Sequence, residues 1–139
     1  FSVAYIINHE SLLMGKEAEV ILRPSLKVNC WTCDTNILKN TIVTLTTISF
    51  IDNLPVTKTF EDLKIDSRGD ITIKFLVPPN LQSVNINIDS EVRNISKGNN
   101  QKLNSTKHIS MNTNSHSLNF YECYLRKLRN NYYYYVLGK

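Results

Sequence analysis

The chain has 139 residues, 42 % of them hydrophobic, which supports one cored domain and leaves little for a second. Its net charge of +4 is unevenly placed: residues 97–139 carry seven Lys/Arg against one acid, a basic third on a body that nets −2. No apolar run approaches the roughly 20 residues of a membrane helix, so membrane insertion by a helix is not expected, and the sequence holds no G-x-S-x-G, no H-E-x-x-H and no glycine loop to cradle a phosphate.

Phe1 is not an initiator Met and no signal-peptide pattern follows it, so the segment is expected to be part of a longer chain. Residues 1–12 contain a short apolar run at 3–7 and read as an incoming strand or linker. Ala18, Val20 and Leu22 then alternate with Glu17, Glu19 and Arg23 until Pro24 ends the run. Residues 25–40 are irregular. From 41 to 51 the chain is rich in Thr, Val and Ile, residues that suit a pleated surface better than a helix, with Ile42, Ile48 and Phe50 expected on the buried face. Asp52-Asn53-Leu54-Pro55 is a turn signal, and Val56, Lys58 and Phe60 alternate with Thr57 and Thr59 after it.

The clearest pattern lies between Asp66 and Ser96. After a polar turn at Gly69, Ile71, Ile73, Phe75 and Val77 alternate with Thr72, Lys74 and Leu76; Pro78-Pro79 stops the strand; Val84, Ile86, Ile88 and Val92 resume the two-residue period. Side chains change face at every residue of a strand, so this period describes a sheet with one buried face. Residues 97–119 are mostly Asn, Ser, Lys and Thr and read as a polar excursion, with one strand hinted at by Ile109 and Met111. Residues 118–128 fit either a strand or a short amphipathic helix, the aromatic content favouring the strand. Tyr132, Tyr133, Tyr134, Tyr135, Val136 and Leu137 read as a further strand, and Gly138-Lys139 as a turn out of it.

Several short strands with turn signals about every ten residues predict an all-β fold, an antiparallel two-sheet sandwich of immunoglobulin or fibronectin type. Residues 13–128 are assigned to that domain, with 129–139 a strand leading to a following module. The expected core is Val20, Leu22, Ile42, Ile48, Phe50, Ile71, Ile73, Phe75, Val77, Val84, Ile86 and Ile88.

Four features carry chemistry. Cys30-Trp31-Thr32-Cys33 has the C-x-x-C spacing of redox and zinc sites, but no helix pattern follows to lower a thiol pKa. The fourth zinc ligand is also hard to find, because Cys123, His9, His108 and His116 are scattered. A disulfide joining Cys123 to Cys30 or Cys33, or thiols packed near Trp31, are the ordinary alternatives. Arg68-Gly69-Asp70 is the tripeptide that integrins read, placed in a turn, and its carboxylate would have to reach a partner's metal; a soluble turn with glycine at positive φ is the plain alternative. Asp66 and Asp70 offer calcium only two obvious ligands. Asn94 and Asn104 head N-x-[S/T] sequons. Finally Arg126, Lys127 and Arg129 beside Tyr132 and Tyr134 form a patch that could stack on bases or sugars; a charge of +6 is modest for a phosphate footprint, and nucleic acid is not the leading expectation.

The Asp66-Ser67-Arg68-Gly69-Asp70 turn followed by an alternating strand that ends Val77-Pro78-Pro79, together with Gly15-Lys16 leading into Glu17–Val20, resembles the macroglobulin domains of the α2-macroglobulin and complement family. The resemblance covers residues 11–96. It implies a seven-stranded fibronectin-like sandwich strung in tandem, without the thioester Cys-Gly-Glu-Gln, which the sequence lacks. Together these readings predict a non-catalytic module of a larger secreted or surface protein, needing no cofactor, whose partners are neighbouring domains or another protein. The alternative is a β-fold binding nucleic acid or glycan through the basic, tyrosine-rich end, and a third class is a redox enzyme at Cys30 and Cys33.

Overall fold

The computed structural model describes residues 1–8, 11–111, 121–128 and 131–138. Among the described residues ten strands follow one another: β1 (Ser2–Ile7), β2 (Glu17–Val28), β3 (Trp31–Cys33), β4 (Lys39–Ser49), β5 (Pro55–Phe60), β6 (Ile71–Leu76), β7 (Leu81–Asn94), β8 (Asn99–Ser110), β9 (Tyr121–Leu128) and β10 (Asn131–Gly138); a 3-10 turn, Thr35–Ile37, joins β3 to β4. The fold is all-β, and every strand pair is antiparallel.

Two sheets make the sandwich. In the first, β2 lies between β1 and β6, and its far end turns back through β3. In the second the order is β5-β4-β7-β8. The alternation in β2 and β6 becomes burial directly: Val20 and Leu22 face inward beside Ile73 and Ile71, their cross-strand partners, while Thr72 between the latter faces water and Ile21 between the former is half-buried. From the second sheet Val43 and Leu45 of β4 and Val84, Ile86 and Ile88 of β7 close the core. Burying a side chain of this size contributes about 1.5–3 kcal/mol, so this layer is the main source of the fold's stability. A polar contact spans the two sheets: the Tyr5 hydroxyl of β1 donates to Ser105 Oγ of β8 at 3.0 Å. Burial pushes the Tyr5 phenol up, and the hydrogen bond to Ser105 partly offsets that.

Three expectations are corrected. β4 turns the opposite face inward: Thr41, Val43, Leu45 and Thr47 are buried, Ile42 and Ile48 are half-buried, and Phe50 is 38 % exposed. The reason is register. Val43 and Leu45 pair with Ile88 and Ile86, whose strand has only one apolar face to offer. A bulge between Lys39 and Ile42 puts Thr41 beside Ser90; Ser90 Oγ donates to the Lys39 carbonyl at 3.2 Å and accepts from Thr41 Oγ1 at 2.9 Å, so both buried hydroxyls are satisfied.

The polar excursion expected at 97–119 is a strand over Asn99–Ser110, paired with β7 from Asn94↔Asn99 to Ser83↔Ser110. β8 is an edge strand whose outer residues face water, so polarity there is compatible with pairing. Residues 112–120, which complete the excursion and begin the strand expected at 118–128, lie outside the described residues. Finally, β9 does not join the sandwich: it pairs with β10 as a separate two-stranded ribbon. At the other end of the chain, β1 is a full member of the first sheet.

Candidate functional site

The sandwich has two poles. At the first lie the start of β1, the β2–β3 turn, the 3-10 turn, the 65–70 loop and the β7–β8 turn; at the second lie the 11–16 turn, the β4–β5 turn and the β6–β7 connection. Of the sequence's candidate residues, Cys30, Cys33, Asp66, Arg68, Gly69, Asp70 and Asn94 lie at the first pole.

The 66–70 loop is closed on itself. Asp66 Oδ1 accepts the backbone N–H of Arg68 at 2.8 Å and of Asp70 at 2.9 Å, and the Asp66 N–H donates to the Asp70 carbonyl at 2.9 Å. Gly69 holds φ +83°, a conformation most side chains avoid, and a β-carbon there would sit 3.6 Å from Thr35 Oγ1, packing loop against 3-10 turn. This geometry turns Asp70 inward. Its residue is 7 % exposed, and both carboxylate oxygens are taken by Arg23, at 2.7 Å from Nε and 2.8 Å from Nη2. The Arg23 hydrogen bonds hold the Asp70 carboxyl below the usual carboxylate range against the opposing effect of desolvation. Held by two bonds and buried, the Asp70 carboxylate is turned toward Arg23 and away from solvent, so the Arg68-Gly69-Asp70 turn does not display it. Arg23, 47 residues away in sequence, is the functional partner that local reading missed. Its only sequence signal is its place, on the outward face of the strand with Glu17, Glu19 and Ile21, just before Pro24.

Arg23, Cys33, Asp34, Asn36, Asp66 and Arg68 line one shallow groove at this pole. Its two cations face two carboxylates, so it carries little net charge, and no cluster of three His, Cys, Asp or Glu able to hold a metal occurs among the described residues. Calcium at Asp66 and Asp70 therefore has no support, since Asp70 is committed to Arg23.

Cys30 and Cys33 are free thiols, the first exposed and the second half-buried. Asn29 and Cys30 are the two central residues of the β2–β3 hairpin, with φ 48° and 69°, the mirror-image turn that matches strand twist. Trp31 and Thr32 are then extended, so the Cα atoms of Cys30 and Cys33 are about 10 Å apart at roughly 3.3 Å per residue. Two cysteines more than about 7 Å apart cannot bridge, nor can they grip one zinc ion. The extended path between them holds Cys30 and Cys33 apart from each other in this fold. The side chain of Cys123 lies outside the described residues. Trp31 is 79 % exposed rather than packed over the thiols.

Of the sequons, Asn94 opens the β7–β8 turn, its Oδ1 accepting the Lys97 N–H at 3.1 Å, and Asn104 lies mid-β8 with Nδ2 donating to Asn87 Oδ1 at 2.8 Å and Asp89 Oδ1 at 2.7 Å. On the ribbon, register opposes Lys127 to Tyr132 and Arg126 to Tyr133. Adjacent residues alternate faces, so Arg126 and Lys127 are split between the two sides. Lys127 Nζ stands 5.3 Å from the centre of the Tyr132 ring. Arg129 lies outside the described residues. At the second pole, Met14, Phe50, Ile51 and Leu54 are exposed apolar side chains on adjoining turns, a feature the sequence reading did not single out.

The model of one family, described as the AbpF third immunoglobulin-like domain, matches residues 8–117. That interval holds β2 through β8 and leaves β1, β9 and β10 outside. The match is to an immunoglobulin-like domain and not to a macroglobulin domain. No curated protein matches the chain.

Proposed function

Since the chain belongs to the AbpF third immunoglobulin-like domain family, we propose that it is a non-catalytic structural module, a spacer whose two poles dock neighbouring modules of one polypeptide. Immunoglobulin-like domains are as a class non-catalytic and meet other domains or proteins through their ends and edges. The family's description supports the tandem part, because it counts its domain as third in a series. The observation that carries the reading is the path of the chain. β1 and β8 both run from the first pole to the second, and Tyr5 and Ser105 touch midway, so the chain enters the sandwich at one end and leaves at the other. That path strings modules end to end without a return crossing. Exposed apolar residues cluster at turns of both poles, Val28, Trp31 and Ile95 at the first and Phe50, Ile51 and Leu54 at the second. The outer face between them is polar, with Thr44, Thr46, Asn87 and Thr106 across three strands.

The turn into β2 is closed against the end of β6: the Gly15 N–H donates to the Val77 carbonyl at 3.1 Å and the Val77 N–H to the Lys16 carbonyl at 2.9 Å. Binding of nucleic acid or glycan by the ribbon has less to stand on, since its cations do not share a face. Small-angle X-ray scattering of a polypeptide carrying this segment between its neighbours tests the proposal. An extended particle gaining about 40 Å per module, the length of a twelve-residue strand, is expected; a compact globule that packs modules side by side contradicts it.

A further inference from the structure

The ribbon lies beyond the matched interval and outside both sheets of the sandwich. A two-stranded ribbon alone is marginal in water, and this one is apolar on both sides: Leu125, Tyr132 and Val136 are exposed on one face, Tyr133 and Tyr135 on the other. Its strands differ in charge. β9 carries Glu122, Arg126 and Lys127, whereas Asn131–Gly138 holds no charged side chain at all. Charges on a strand are the usual guard against edge pairing, and a long, uncharged, apolar strand without proline is a template for it. β10 pairs with β9 on one side among the described residues.

We propose that the other side of β10 pairs with β10 of a second copy of this chain, antiparallel about a two-fold axis, so that two ribbons become one four-stranded sheet. Self-pairing suits this strand for three reasons. Aromatic and β-branched side chains meet their own kind on both faces, and such cross-strand pairs are favourable. No like charges oppose each other along the joint. The cations of the two β9 strands end up three strand spacings apart, about 14 Å, beyond the screening length of about 8 Å at physiological salt. Pairing through β9 would instead set Arg126 and Lys127 against their own copies. A two-fold joint is also closed, giving a dimer and not a fibre. This inference concerns residues outside the sandwich and does not depend on the spacer role proposed for it.

Sedimentation equilibrium on the 139-residue chain tests it, with two double variants. Tyr132→Lys with Val136→Lys, and Tyr132→Glu with Val136→Glu, each place like charges across the joint. The wild-type chain is expected to form a discrete dimer, each variant alone to dimerise about a hundredfold more weakly, the effect of like charges brought together at an interface, and an equal mixture of the two to recover a one-to-one heterodimer. Recovery in the mixture separates loss of pairing from loss of folding, and the sandwich's thermal unfolding is expected to be unchanged in both. A wild-type chain that stays monomeric up to about 1 mM, a dimer indifferent to the substitutions, polymers without a discrete dimer, or a monomer whose ribbon instead takes up single-stranded oligonucleotide would each overturn the proposal.

Discussion

Asp70 shows how much of a residue's role depends on a partner far away in the chain. Read locally, it closes an adhesive tripeptide; in the fold its carboxylate is locked to Arg23 and its backbone N–H to Asp66. The pair also gives the protein an acid sensitivity. The Asp70 carboxyl is held below its ordinary value of 3.8, mainly by the Arg23 hydrogen bonds. A group whose folded pKa is depressed stabilises the fold above its unfolded pKa, and that stability is lost as pH falls through the folded value. Urea unfolding of the wild-type chain is therefore expected to show stability dropping below about pH 4. Asp70→Asn is expected to be less stable at neutral pH and to lack that part of the acid drop. Identical pH profiles for the two proteins contradict the assignment. The cysteines teach the same lesson at shorter range: a spacing that suits metal in a turn fails when the two intervening residues are extended.

At the scale of the element, β4 is the informative case. Its sequence offers apolar or β-branched residues on both parities, Val43 and Leu45 against Ile42 and Ile48, so its own alternation does not choose a face. The choice is made by β7, where Ile86 and Ile88 alternate with Asn87 and Asp89 and only one face is apolar. β6 and β7 were legible in the sequence because their polar positions are unambiguous. β8 was not, because an edge strand with Leu103, Ser105 and Ile109 turned inward has few apolar positions to mark a period. The register makes a separable prediction. Leu45→Ala removes a fully buried side chain and is expected to cost about 2–5 kcal/mol, whereas Ile48→Ala, on the half-buried outer face, is expected to cost about 1 kcal/mol or less. Chemical denaturation of the two variants reads both values, and the reverse order would place β4 in the other register.

Over the whole molecule, the sequence showed the class of fold and most of the core, and mislaid the site. The reason is physical. Period-two burial is written along each strand, while the meeting of Arg23, Cys33 and the 66–70 loop is produced only when three separate segments reach the same pole. The path of the chain is likewise a property of the assembled sheets, and the proposed function rests on it. Pulsed electron-electron resonance between spin labels at Ser2→Cys and Ser110→Cys, with Cys30, Cys33 and Cys123 replaced by Ser, measures that path. Tyr5 and Ser105 are neighbours across the sheets. Ser2 lies three residues toward the first pole and Ser110 five toward the second, so at about 3.3 Å per residue the labelled positions should be separated by about 26 Å along the strands. A distance distribution centred near or above that value is the predicted result. One centred at the width of the sandwich, about 10 Å, would mean that the chain enters and leaves at the same end, and the end-to-end module would have to be abandoned.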